Sequence, residues 1–448
     1  MPIVTPRTIP GVLELLPRDQ IALQSMFDTI REGFESFGFL PISTPAMEQT
    51  AVLLTKSGSE TERQVYLAQS TGARAQGYEP DAALRFDLTV PLARYVAEHE
   101  AELIFPFRRY QMQPVWRGET PQRGRFREFI QCDIDVVDRD ELSIRYDAEM
   151  PAVIASIFSR LAIGDFTIRL NNRRLLRGLL IDLGVDDSGL QGLALRELDK
   201  LERIGAEDVA AALSKRGIAA DTADRLLKVA GQGPLKGAAA TEMLAALPDG
   251  NELLVKGKEE LASVFSLVGV QGVNPDQVAL DLSIARGLDY YTGTVYETTL
   301  DDHPEVGSIC SGGRYEDLAS LYTKSRLPGV GISIGLTRLF WQLRELGMTG
   351  TTANPVAALV TLIDEEGFET ALRLATELRT AGVNTEVSMK AGKLSRQLKY
   401  ADRAQIPIVV IAGADERQRG TVQVRNLVTR VQQEVAASEV TATVSSLL

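Results

Sequence analysis

Apolar residues recur at helical spacing between Arg18 and Phe37, at Leu23, Met26, Phe27, Ile30 and Phe34, and Gly38 stops the run. The pattern predicts a helix that leads into the strand-like stretch FLPISTP. Four more stretches, ALRFDLTVPLARYV, FRRYQMQPVWRGE, REFIQCDIDVVD and FTIRLNN, have β texture with no long helix between them. That spacing predicts an antiparallel sheet rather than a doubly wound parallel one. From about 185 to 268 the texture turns to alanine- and leucine-rich runs broken by Gly231, Gly233 and Gly250, which read as an inserted helical domain. Strand texture returns in VALDLSIARGLDYYTGTVYETTL, and GVGISIGLTRLFWQL closes a first large unit over 1–345. After a break from Gly347 to Pro355 the order becomes strand, helix, strand, helix, strand. This alternation predicts a small α/β domain with a partly parallel sheet over 355–448, so the whole chain reads as α+β.

Composition narrows the class without naming it. At 448 residues the chain exceeds one ordinary core and implies roughly two to four structural units. A 44% hydrophobic and 24% charged content is that of globular domains rather than disorder. The amino-terminal stretch is interrupted by Pro2, Pro6, Pro10 and Pro17, so no apolar core of signal-peptide length is read there. No apolar run is long enough to span a bilayer, which predicts a protein without a membrane partner. Two cysteines, Cys132 and Cys310, supply neither a disulfide framework nor a metal site, and a reducing cytoplasm is expected. The net charge of -12 opposes a polyanionic partner on average. Two basic stretches oppose the average: Arg117 to Arg127, and Lys390, Lys393, Arg396, Lys399 and Arg403 near the carboxyl end.

The stretch VWRGETPQRGRFREFIQCDIDVVD carries the most chemistry. Arg117 and Glu119 share a face, a glycine-containing turn carries Arg123 and Arg125, and the return strand presents Arg127, Phe129, Gln131, Asp133 and Asp135 at period two. Guanidinium forks suit polyphosphate oxygens, a carboxylate accepts from an exocyclic amine, and an aromatic ring covers a purine. The same pattern on a solvated surface is a plain charged hairpin, although Gln131 and Asp135 on the face of Phe129 weigh against it. In ARGLDYYTGTVYE, Tyr290 and Tyr291 taken alone read as core aromatics sooner than as ligand contacts. Arg338 reads as a phosphate cation or a solvated helix end. The glycines of CSGGRYEDL and GVGISIGLTRL match no P-loop or dinucleotide fingerprint and imply close approach to a ligand or a neighbouring strand.

Taken together these motifs resemble the class II aminoacyl-tRNA synthetases, and histidyl-tRNA synthetases in particular. The hairpin with its PQRGRFREFIQ detail is similar to motif 2 of the class. GFLPISTPAMEQTAVL with Pro45 resembles motif 1, GVGISIGLTRL resembles motif 3, and RGLDYYTGTVYE and SGGRYEDL resemble the two histidyl signature blocks. They run in the family's order from about Gly33 to Leu339, and the α/β tail resembles the family's anticodon-binding domain. The resemblance implies a catalytic domain built on an antiparallel sheet with a helical insertion.

It also implies roles. Asp87, Leu88 and Thr89, in the element opened by Arg85, would hold the α-ammonium of histidine, with Gln131, Asp135, Tyr290 and Tyr291 reading the imidazole. Arg117 would bind the α-phosphate of ATP, Glu119 and Phe129 the adenine, and Arg125 and Arg338 the outer phosphates. Arg117, Arg286 and Arg338 would be the catalytic cations, with Mg²⁺ on the phosphates and no protein metal site. Histidine tRNA is the implied macromolecular partner and a homodimer the implied assembly, the latter from motif 1. Thr120 stands where relatives often carry an arginine that helps read the extra 5′ nucleotide of that tRNA, so weak discrimination there is expected. PRTIPGVLELLP replaces the usual lysine-glycine-threonine opening. His99 and His303 lie in no motif. The alternative is a catalytically silent paralogue that senses histidine as a regulatory subunit of ATP phosphoribosyltransferase. Such relatives generally lack the tail and parts of the signature blocks.

Overall fold

The structure, a computed structural model, describes residues 4–54, 64–285, 291–317, 319–349 and 354–448. Its internal contacts define two compact units, Met1–Glu14 with Leu23–Thr349, and Leu15–Ala22 with Gly350–Leu448. Helix α1 (Pro17–Ser36) buries Leu23, Ile30, Gly33 and Phe34, the stripe expected from its spacing.

Two stretches depart from the sequence reading. FLPISTP contracts to the two-residue strand β1 (Leu40–Pro41), which lies parallel along β5 (Phe107–Trp116) at the edge of the main sheet. Pro41 and Pro45 have no amide hydrogen to give a ladder, so only an edge position is open to this segment. ALRFDLTVPLARYV is strand only at β4 (Ala82–Leu84), which pairs with β2 (Met47–Gln49) and β3 (Tyr66–Ala68). Its second half is helix α2 (Thr89–Glu98), with Val90, Leu92, Ala93 and Val96 buried. In so short a window an apolar run does not separate helix from strand. Asp87 decides it locally: its Oδ1 accepts the amide of Val90 at 3.0 Å, satisfying a donor that the start of a helix leaves free.

The remaining β stretches form as expected. β5 and β6 (Glu128–Val137) pair as one antiparallel hairpin. They are joined by β7 (Phe166–Asn172), β8 (Leu235–Lys236), β9 (Val278–Leu280), β10 (Tyr291–Leu300), β11 (Cys310–Tyr315) and β12 (Gly329–Gly335). Among the described residues the order is β1-β5-β6-β12-β11-β10-β7-β9-β8, antiparallel throughout from β5 to β7. Strand alternation splits the sheet chemically. Cys132, Ile134 and Val136 of β6 and Ile332 and Ile334 of β12 are buried as core, whereas Gln131, Asp133 and Asp135 line up on the other face.

Helices α3 (Arg145–Leu161) and α10 (Leu336–Glu345) pack on this sheet, and α4 (Arg173–Asp182) follows β7 directly. Residues 188–270 carry α5 (Ser188–Leu198), α6 (Leu201–Lys215), α7 (Ala220–Ala230), α8 (Gly237–Ala246) and α9 (Glu252–Val270). This segment falls within the larger compact unit rather than apart from it. Its last helix crosses α4 at contact distance: a Cβ on Gly257 would lie 2.5 Å from the backbone nitrogen of Leu175.

In the smaller unit, strands β13 (Ala358–Val360), β14 (Thr385–Val387) and β15 (Ile408–Ile411) run parallel. An antiparallel hairpin of β16 (Thr421–Asn426) and β17 (Gln432–Ala436) extends them. One face packs on α11 (Phe368–Thr380) and α13 (Val440–Leu447), and the other on α12 (Leu394–Arg403). Gln397 and Ala401 of α12 are buried, while Lys390, Lys393, Arg396, Lys399 and Arg403 are exposed.

The larger unit is tied together by Asp147, wholly buried in the first turn of α3. Its carboxylate accepts from Thr294 Oγ1 of β10 at 2.6 Å and from Arg314 Nη2 of β11 at 2.6 Å, and Arg314 also donates to the carbonyls of Leu142 and Ser143. Removing one partner of a buried pair strands the other charge. Arg314→Leu should therefore destabilise this unit by about 3–5 kcal/mol, read as an earlier first transition in denaturant unfolding. A transition within 1 kcal/mol of wild type, on the order of experimental error, would show that Asp147 does not depend on this arginine.

Candidate active site

The motif 2 hairpin, the turn before α2 and the ends of β10 to β12 enclose a cavity of about 380 Å³. Asp87 and Thr89 reach it from the start of α2, Arg117, Glu119, Arg125, Phe129 and Gln131 from the hairpin, Tyr291 from β10 and Arg338 from the first turn of α10. Nine of the sequence-selected residues thus converge on one volume. Arg286 and Tyr290 lie outside the described residues. Leu88 is wholly buried and lines none of the cavity, and Arg123 turns away to Glu345 and the ring of Trp341. Ser308, Cys310, Ser311 and Ser333 also line the cavity, and sequence reading had passed over them. Their signal lay in pairing: Ser333 of β12 sits opposite Asp133 and Ser311 of β11 opposite Ser333, a register that no single strand reveals.

Cations and carboxylates share the cavity wall. The Arg117 guanidinium lies 5.1 Å from the ring centroid of Phe129 while its Nε donates to the carbonyl of Phe86 at 3.0 Å. Arg338 Nη2 donates to the carbonyl of Val306 at 2.8 Å. Such a cluster of cations beside an aromatic face suits a polyphosphate attached to a flat base. Asp87, close enough to Arg117 to be held down by its charge, keeps Oδ2 buried without a hydrogen-bond partner. A bare carboxylate oxygen in a dry pocket selects a cationic donor, because leaving it unpaired is costly.

Asp87 belongs to a buried trio with Asp133 and Asp135. Burial pushes the Asp87 and Asp133 carboxyls up to about 6 and that of Asp135 up to about 7. Asp87 is held down in part by the amide of Val90 and by Arg117, Asp133 chiefly by Arg109. Gln131 Nε2 donates to Ser333 Oγ at 2.7 Å, and both Gln131 Oε1 and Asp133 Oδ1 are buried without partners. Asp135 does not line the cavity. It lies beneath, ion-paired to Arg109 and accepting the Tyr315 hydroxyl at 2.9 Å. Gly331 makes room for it, since a Cβ there would meet Asp135 Oδ1 at 2.2 Å. The glycines of motif 3 therefore serve a side chain of the neighbouring strand.

A carboxyl raised by burial costs stability once it ionises. Below the unfolded value near 4 both states hold the proton and there is no penalty; the penalty grows as pH rises and is complete above the folded value of about 6. Asp133→Asn should therefore match wild-type stability near pH 4 and exceed it by about 2–3 kcal/mol at pH 8. A stability difference independent of pH would refute the raised carboxyl.

Comparison with known proteins agrees with this geometry. The family model for histidyl-tRNA synthetase matches residues 11–339, and that for an anticodon binding domain matches residues 356–447. The chain is 56% identical to a histidine–tRNA ligase of Stenotrophomonas maltophilia, covering 98% of this chain and 97% of that protein. It is 57% identical to one of Xanthomonas oryzae pv. oryzae, covering 98% and 97% respectively. The crystal structure of histidyl-tRNA synthetase from Nostoc sp. PCC 7120 superposes with a TM-score of 0.88 at 38% identity, covering 100% of both chains. With both family regions matched and relatives of 56% identity over nearly the whole chain, the chain belongs to the histidyl-tRNA synthetase family.

Proposed function

We infer that this chain activates L-histidine with ATP and then joins it to the 3′ end of histidine tRNA. The observation that carries the reading is the unpartnered Oδ2 of Asp87, on a residue that lines the same cavity as the cations Arg117, Arg125 and Arg338. A molecule with an ammonium at one end and a phosphate at the other satisfies both.

In the first step a carboxylate oxygen of histidine attacks the α-phosphorus of ATP and pyrophosphate leaves. The attacking group is already an anion, so no general base is needed. The chain's task is to bring two anions together: Asp87 and Thr89 hold the α-ammonium, Arg117 the α-phosphate, Glu119 and Phe129 the adenine, Arg125 and Arg338 the outer phosphates. Gln131 and Tyr291 read the imidazole from the cavity wall, with the Asp135 carboxylate behind them in the layer beneath; the ring has a nitrogen at each side that a misfit amino acid would leave unanswered. In the second step a ribose hydroxyl of the tRNA attacks the adenylate carbonyl and AMP leaves. Among the described residues no group of three or more His, Cys, Asp or Glu is gathered as a metal site. Mg²⁺ would enter with the phosphates of ATP.

The exposed basic residues of α12 and its approach offer phosphate contacts on the anticodon-binding unit despite the acidic total. Both cysteines are free and buried, which suits a reducing cytoplasm. No helix among the described residues is long and apolar enough to cross a membrane. A histidine-sensing regulatory subunit would need neither the arginine set nor an anticodon-binding region, and this chain matches both.

Histidine alone among the amino acids should support exchange of pyrophosphate into ATP; exchange with another and none with histidine would sink the assignment. The motif 1 resemblance further leads us to propose a homodimer. Light scattering should give twice the chain mass at assay concentration, and a fully active monomer would overturn that.

A further inference from the structure

Beneath the cavity lies a residue that neither motif nor lining picks out. Arg109, near the start of β5, is wholly buried and directly opposite Asp135 in the hairpin register. Its guanidinium is ion-paired to Asp135 Oδ2, while the Tyr315 hydroxyl of β11 donates to Oδ1 at 2.9 Å. We propose that Arg109 is a positioning residue for amino-acid selection, holding the Asp135 carboxylate in place beneath the cavity so that it backs the side chains that read the imidazole. The proposal rests on the inferred histidine substrate and on the part assigned to Asp135.

The case is one of cost. A buried ion pair is commonly no better for stability than well-packed apolar side chains of the same volume. A strand position with no solvent exposure would be filled more cheaply by leucine. Arg109 instead places a permanent charge where two neighbouring carboxylates, Asp133 and Asp135, would otherwise lose their own. Among the described residues, Asp135 is faced by Arg109 from β5, Asp133 from its own strand, Tyr315 from β11 and Asp87 from the turn before α2, while β12 offers Gly331. Arg109 is the one full positive charge in that set. Burial, Asp133 and Asp87 drive Asp135 towards its neutral form, and Arg109, then the Tyr315 hydroxyl, drive it back. A protonated Asp135 would present a donor where the ring reader needs an acceptor.

The test is the pH profile of kcat/KM for histidine in pyrophosphate exchange by the full-length protein. Free histidine titrates equally in every assay, so only differences between proteins count. Arg109→Leu should raise the histidine KM at pH 7 by roughly five- to fiftyfold with a smaller change in kcat. Its acidic limb should move up by about one pH unit or more, so that activity recovers at pH 8.5–9 by roughly that measure. Arg109→Lys should restore most of the wild-type profile. Tyr315→Phe, which removes a single hydroxyl, should shift the limb in the same direction by less. An acidic limb that coincides with wild type, or a loss of equal size at every pH, overturns the proposal. Should Arg109→Leu not fold, an unmoved limb in Tyr315→Phe overturns it alone. If wild type shows no histidine-dependent exchange, the substrate reading falls; if it does and the limbs coincide, only the role of Arg109 falls.

Discussion

Taking Asp87, Asp133 and Asp135 out of water on one sheet face is expensive, and much of the larger unit is arranged around tolerating it. Each carboxyl is raised by burial, and each is answered by something fixed: an amide of α2 for Asp87, Arg109 and then Ser333 for Asp133, Arg109 and Tyr315 for Asp135. Strand alternation makes this possible, since the core side of the same strands is filled by Cys132, Ile134, Val136, Ile332 and Ile334. The polar face can afford its charges because the apolar face, with α3 and α10 against the sheet, supplies the packing. Asp147 and Arg314 repeat the device at the join of α3, β10 and β11.

The cavity follows from that arrangement. A rigid antiparallel floor holds the acceptors, and the two arms of the motif 2 hairpin lift arginines over one end of it. The resulting wall sets Asp87 and Glu119 among Arg117, Arg125 and Arg338, so that it offers partners to both cationic and anionic groups of a ligand. Preorganised charge of this kind needs no rearrangement at the moment of reaction, which is why a site without a general base can be effective. The unpartnered oxygens of Asp87 and Asp133 are thus stored polarity that a ligand satisfies.

Several features were legible in the chain itself. The spacing of Leu23, Ile30 and Phe34 gave α1, the period-two run from Phe129 to Asp135 gave the floor strand, and the strand-helix alternation after Pro355 gave the smaller unit. The errors fell where local pattern is ambiguous. The stretch around Val90 and Pro91 is helix because Asp87 accepts an amide there, and FLPISTP is nearly strandless because prolines confine it to an edge.

What the sequence by itself determined, then, was which residues alternate, which helices have an apolar stripe, and which ordered motifs mark the family; these are properties of near neighbours along the chain. Only the tertiary structure decided that Arg109 answers Asp135, that Tyr315 answers it from a strand 180 residues further on, and that Gly331 leaves the space for it. It also decided that Ser311 and Ser333 join the cavity and that Arg123 does not. The physical reason is register: pairing of β5, β6, β12 and β11 sets which side chains oppose one another across the sheet. No single strand carries that information.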